Sequence, residues 1–251
     1  MPFRITIFRL FALGILLLLW WEASRAIGVR FPNPYQTFLA AGDLFRDPRG
    51  RLGTAFFESL NVYLRGLGYA AVIGIPIGLI LGGFKIVGRT MDVFVNGIMA
   101  TPRVAFIPLI IFFLSIGPEA KIFIIFLGAV MPIIANTYAG VRASDGELVE
   151  MARSVGARRP QIFVRILLPG ALPFIIVGLR IGATIGLINT VVAELYTAAT
   201  GLGGLLQRFR QTFQMDDYLV VVLSLTLIGV VVTSLLRLLE TRMDRWRYDG
   251  S

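Results

Sequence analysis

Six long apolar runs, at 5–21, 60–83, 93–114, 121–141, 174–198 and 218–236, constrain this chain more than any other feature. Crossing a hydrocarbon core of about 30 Å takes about 20 helical residues at 1.5 Å each, and these runs reach or approach that length. In lipid only a helix or a closed barrel satisfies every backbone polar group, and runs this long are helical in period. The expected fold is an all-α membrane protein with about six transmembrane helices. Composition agrees, since 56% of residues are apolar and 16% charged, against about 25% charged in a soluble domain.

The chain has no Cys and no His. That excludes thiol nucleophiles, disulfides, thiolate metal sites and imidazole acid–base chemistry. An intramembrane enzyme would need a cluster of acids, a nucleophile and a base, and no such cluster stands out. The net charge of +9 fits membrane orientation and anionic headgroups, with membrane lipid rather than nucleic acid as the partner. With the N-terminus inside and six alternating spans, thirteen Lys/Arg fall inside and eight outside. The expectation is a multi-pass inner-membrane protein with both termini in the cytoplasm. The first run follows Arg4 and Arg9 and ends in Trp20 and Trp21. It looks like a secretory leader, but the following E-A-S-R-A lacks a small-x-small cleavage site, so a retained helix is expected.

Between the fourth and fifth runs lies a basic loop, E-M-A-R-S-V-G-A-R-R-P-Q-I-F-V-R-I-L-L-P at 150–169. Ser144 three residues before Glu147 has the capping-box pattern. Leu148, Ala152 and Val155 share one helical face, and Gly156 suits a left-handed helix end. Pro160 fits the first turn of a second short helix, whose Ile162, Phe163, Ile166 and Leu167 face apolar surroundings. Pro169 is expected to end that helix and Pro173 to open the next span. The local pattern leaves two readings open: a helix–turn–helix elbow, or an amphipathic connector lying in the headgroups.

Glu150, Ala152, Gly156, Ile166, Leu168 and Pro169 fit the spacing E-A-A, three residues, G, nine residues, I-x-L-P, with Met151 at the first alanine. This resembles the cytoplasmic signature of inner-membrane permeases of binding-protein-dependent ABC importers. From about Ser59 onward the segments S-L-N-V-Y-L-R-G, G-I-P-I-G-L, P-L-I-I-F-F-L-S-I-G, P-I-I-A-N-T-Y-A-G-V-R and A-E-L-Y-T-A-A-T-G-L-G look like the nitrate, sulfonate and taurine branch. The resemblance implies one N-terminal helix added to a five-helix permease core. It implies a homodimer, a separate ATPase dimer gripping a coupling helix near residues 147–155, and a binding protein outside. ATP and Mg would be bound by that partner, and no cofactor by this chain. Domain boundaries follow: an N-terminal helix and outer segment at 1–58, a core at 59–240 with its coupling loop at 142–171, and a tail at 241–251.

One near-match competes with that division of labour. Residues 83–90, G-F-K-I-V-G-R-T, approach a phosphate loop, with Arg89 where Lys belongs. A phosphate loop follows a strand, and this one follows a membrane run, so it reads as a basic inner loop.

Small residues recur every four positions at Gly74, Gly78 and Gly82 and at Gly178, Gly182 and Gly186. They let helix backbones approach closely, within the chain or between copies. Pro102 and Pro108 interrupt the third run beside Arg103, so its backbone is expected to bend on the pore side. Arg103, Asn136, Thr190, Glu194 and Thr197 are candidate pathway residues, because polar groups inside spans face protein or water. The same residues could instead bond helix to helix. Arg65 and Arg180 lie near run ends, where snorkelling accounts for them. Residues 42–58 suggest an amphipathic outer helix after a non-helical F-P-N-P start, and the charges at 201–217 suit an outer loop. A rival reading makes Glu194 the coupling-ion site of a secondary transporter. It leaves the cytoplasmic signature unexplained.

Overall fold

The computed structural model describes residues 2–28, 31–47, 51–144, 146–197 and 200–248, and among these there is no strand. In chain order the helices are α1 (Pro2–Ile27), α2 (Pro34–Arg46), α3 (Arg51–Gly83), α4 (Lys85–Ala100), α5 (Ile107–Leu114), α6 (Pro118–Arg142), α7 (Gly146–Ser154), α8 (Arg159–Ile162), α9 (Leu168–Thr197), α10 (Leu202–Gln211) and α11 (Met215–Tyr248). Among the described residues five helices are long and apolar enough to cross a membrane, and a bent pair makes a sixth. That pair is the third run. Val93–Ala100 and Arg103–Leu114 meet at 74°, because Thr101, preceding Pro102, is held extended at φ −74°, ψ 130°.

The centre of the fold is α6, packed between α3 and α9. Ala129, Ile125 and Ile133 on α6 are wholly buried. Both glycine stripes face this helix. A Cβ at Gly78 would lie 2.8 Å from the Ile134 carbonyl, and one at Gly182 would lie 3.0 Å from the Ala129 carbonyl. Of the two readings left open by spacing, the packing is within the chain: absent side chains let α3 and α9 ride against α6 backbone.

α11 and α10 cover the N-terminal half of α3 and the C-terminal half of α9 through Phe209, Leu202, Val221 and Leu225. α2 joins the same cluster through Leu44. Its start is well specified: Asn33 Oδ1 accepts the Gln36 N–H at 2.8 Å, and Gln36 Oε1 accepts the Asn33 N–H at 3.0 Å. Residues 31–33 are non-helical as expected, and Pro34 opens α2. The single helix expected over 42–58 is not formed; α2 ends at Arg46 and α3 begins at Arg51.

The fifth span also differs from expectation. Pro169 does not end α8, and Pro173 does not open a span. Helical structure runs unbroken from Arg159 to Thr197. A π turn over Phe163–Leu167 joins α8 to α9, and the Leu168 N–H reaches back five residues to the Phe163 carbonyl. The wider turn changes register one residue before a proline that has no N–H to give, so the helix passes through.

Candidate functional site

The elbow is built from local chemistry. The Ser144 hydroxyl donates to the Gly140 carbonyl of α6 at 3.4 Å, and α7 starts at Gly146. Asp145 lies outside the described residues. At the other end Gly156 adopts φ +82°. Its N–H donates to the Arg153 carbonyl at 3.0 Å, and the Ala157 N–H to the Ala152 carbonyl at 2.9 Å. These two bonds form a Schellman end, which requires the left-handed residue. Two residues on, Gln161 Oε1 accepts the Arg158 N–H at 2.7 Å and starts α8.

No residue of α7 is buried. Leu148 and Met151 are 48% and 63% exposed at i, i+3 on α7, and Val155, in the turn just past its end, is 81% exposed. Glu150 is exposed and Ala152 is half-buried. The second half of the loop anchors the elbow. Ile162 is buried, Phe163 lies against Gly83 at the end of α3, and Leu167 packs on Val141, Ala171 and Ile175. Ile166 and Leu168 are half-buried and Pro169 is exposed.

Within the spans, Arg103 follows the break between α4 and α5 and reaches α6, where its Nη1 donates to the Gly128 carbonyl at 2.9 Å. The reason lies four residues further on. Pro132 is inside α6 and has no N–H, so the Gly128 carbonyl lacks its helical donor. The guanidinium supplies the missing bond. A Cβ at Gly128 would overlap the Asn189 amide, so a larger residue there requires the Asn189 side chain to swing aside. Asn189 lines the same small pocket as Arg103, with Val104, Ile107, Ile110, Ile124 and Leu127. Asn136 donates to the Pro132 carbonyl at 2.8 Å.

Thr190, Glu194 and Thr197 share a face, as their spacing requires, and that face is turned into protein. Glu194 and Thr190 are wholly buried and Thr197 nearly so. The Thr190 hydroxyl donates to the Gly186 carbonyl at 2.9 Å and that of Thr197 to the Ala193 carbonyl at 3.0 Å. The Glu194 carboxylate lies 2.7 and 2.9 Å from the Ser59 hydroxyl of α3, which donates to it. It also accepts the Gly203 N–H at 2.8 Å. Ser59 Oγ accepts the Leu202 N–H at 2.8 Å, and Glu58 Oε2 the Gly201 N–H at 3.0 Å. Lys121, which sequence placed among the outer charges, is 4% exposed. Its Nζ donates to the Thr200 carbonyl and hydroxyl at 3.0 and 2.9 Å. Three consecutive amides at the start of α10 are thus held by side chains of α3 and α9. Glu58, Ser59 and Lys121 were missed as a cluster; only Gly201, at φ +88°, hints at a fixed turn there.

The phosphate-loop near-match spans the junction of α3 and α4, with a helix before it rather than a strand. Arg180 does not snorkel alone: it pairs with Glu240 of α11 at 2.7 Å.

Comparison with known proteins fits this architecture. Residues 74–245 match the family model described as binding-protein-dependent transport system inner membrane component. A Brucella abortus (strain 2308) protein named "Probable ABC transporter permease protein" is 31% identical over 228 residues, 91% of this chain and 90% of that one. The taurine transport system permease protein TauC of Escherichia coli (strain K12) is 30% identical over 240 residues, 93% of this chain and 87% of that one. Among solved structures, an inward-facing MetNI methionine ABC transporter shares the fold, with TM-score 0.61, 22% identity, and coverage of 76% of this chain and 93% of that one. The chain belongs to the binding-protein-dependent transport system inner membrane component family, the permease subunits of ABC importers.

Proposed function

We propose that two copies of this chain form the translocation pathway and that α7 is the coupling helix, seated on the cytoplasmic side in a groove of the ATPase subunit. As a permease of this family the chain works with a separate ATPase, which hydrolyses the ATP, and with a binding protein. The observation that carries the reading is the exposed face of Leu148 and Met151 on α7, continued by Val155 in the turn after it, outside the apolar spans. Such a face on a soluble loop calls for a partner. Glu150 would make polar contacts at the rim of that interface. Gly156 sets the angle at which α7 meets α8, and α8 continues without interruption into α9. Closure of the ATPase dimer would bring two elbows together and turn both fifth spans, opening the pathway outward; reopening would return it inward.

The substrate class follows from Arg103. It is a cation at a broken span, with one of its five N–H donors on the Gly128 carbonyl. We assign it to contact a small anionic solute of the sulfonate or nitrate type, in line with the taurine relative. Glu194, sealed by Ser59 and Gly203, holds the outer mouth together, and the ion-coupled reading finds no support in its surroundings.

The chain has no cysteine, so Val155→Cys gives this subunit a unique thiol. Crosslinking in membranes should join it to an ATP-hydrolysing subunit, and an impermeant maleimide should label it only from the cytoplasmic side. Labelling from outside, or the absence of any ATPase adduct, overturns the assignment. Gly156→Asp should leave the permease inserted and abolish substrate-stimulated ATP turnover.

A further inference from the structure

A groove of about 490 Å³ lies where the elbow-side half of α9 meets the end of α11, lined by Arg180, Thr233, Ser234, Arg237, Glu240 and Thr241. It shares no lining residue with the Arg103 pocket or with α7, and nothing in the transport reading uses it. Arg180 is engaged with Glu240. The Thr233 and Thr241 hydroxyls donate to the Gly229 and Leu238 carbonyls at 2.6 and 3.1 Å, so they offer lone pairs only. Among the described residues the Ser234 hydroxyl and the Arg237 guanidinium have no hydrogen-bond partner. Among the described lining residues, two arginines and one glutamate leave one net positive charge.

Depth and surroundings identify what would neutralise it. Arg180 lies about 26 Å along α9 from Thr197, and Arg237 about 33 Å along α11 from Met215, at 1.5 Å per residue. With Thr197 and Met215 taken as the opposite hydrocarbon edge, these distances bracket the roughly 30 Å thickness, which puts the two guanidiniums within snorkelling reach of lipid phosphates. The flanks are greasy: Val230, Val231, Leu235, Leu238 and Leu239 are 55%, 47%, 56%, 62% and 54% exposed. A free anion would have no use for that rail, whereas acyl chains would lie along it. Basic pockets between spans on one membrane face are suited to phospholipid headgroups.

We propose that this groove is a binding site for an oxyanion headgroup, the phosphodiester of an anionic phospholipid in the leaflet on the elbow side. Arg237 and Ser234 donate to the phosphate, Arg180 is held in place by Glu240, and one monoanionic headgroup balances the net charge. That this leaflet is the cytoplasmic one rests on the orientation proposed above; the site and its test do not.

The test uses the complete transporter in nanodiscs, with Thr241→Cys as the permease's unique thiol at the groove's edge. Maleimide labelling of that subunit should be about fivefold slower in phosphatidylglycerol than in phosphatidylcholine, the size of one arginine's interaction with anionic lipid. Adding Arg237→Gln should abolish the difference, and Arg237→Lys should keep most of it, which separates loss of the site from loss of the fold. Millimolar inorganic phosphate in phosphatidylcholine discs should not slow labelling. Slowing by phosphate equal to that by phosphatidylglycerol overturns the lipid source in favour of a soluble oxyanion. Equal rates in both lipids, or a difference that survives Arg237→Gln, overturns the site itself.

Discussion

The two ends of α9 are held in opposite ways. At the C-terminal end Glu194 is fully buried and bonded to α3 and to the start of α10, with Glu58 and Lys121 fixing the same turn. At the elbow end α7 is shaped by bonds to its own neighbours and shows its apolar side chains to the outside. One end is closed by the protomer's own contacts; the other has a fixed shape and an unmet surface. A buried polar cluster is costly to disturb, while a locally bonded exposed helix changes little when its surface is altered. The contrast therefore predicts where substitutions cost stability and where they cost only coupling.

The largest effect is expected at the Glu194 cluster. Glu194→Ala orphans the Ser59 hydroxyl and the Gly203 amide, at about 3 kcal/mol for two buried donors. For a chain of this size that corresponds to a fall of roughly 10 °C in the melting temperature in detergent. Glu194→Gln, which keeps an acceptor, should lose about half as much. A Glu194→Ala protein that melts like the parent would break the contrast. Next come two glycines of opposite kind. Gly66→Ala places a Cβ 2.6 Å from Ile125 Cγ2 and should cost about 2 kcal/mol through overpacking. Gly156→Ala meets nothing within 4 Å but must hold φ +82°, at about 1 kcal/mol, with a disproportionate loss of substrate-stimulated ATP turnover.

A smaller effect sharpens the role of Arg103. Arg103→Met should destabilise the parent, and less so when Pro132→Ala returns an N–H to the Gly128 carbonyl. A double-mutant cycle in thermal unfolding should give a coupling of about 1 kcal/mol, and zero coupling would mean that the guanidinium is not standing in for the missing amide. The smallest stability effect belongs to Val155→Ala, within about 0.5 kcal/mol, although co-purification of the ATPase should weaken.

What could be read from sequence followed from the range of the signals. Spans are written in consecutive residues, so all six runs were legible, including the bend that Pro102 forces on the third. The Schellman end at Gly156 is written within a few residues and was legible too. The Asn33–Gln36 cap was equally local, but the helix it starts was placed later, over 42–58. The Glu194 cluster was hidden because Ser59 and Glu194 are 135 residues apart, and no pattern within one run announces such a partner. The passage of α9 through Pro169 and Pro173 was hidden for another reason: a π turn is a change of hydrogen-bond register with no composition of its own. Arg103 drew notice as a charge in lipid, but its partner became apparent only once α6 was seen to bring the carbonyl left over by Pro132 beside it.

The unbroken passage through those prolines has a mechanical consequence. A 39-residue helical segment has a contour of about 58 Å at 1.5 Å per residue. Treated as a lever, it needs a tilt of only about 5° at the elbow to carry the opposite tip about 5 Å, roughly one helical turn. Under the coupling proposed above, small travel in the ATPase subunit would be magnified across the bilayer without any hinge inside the span.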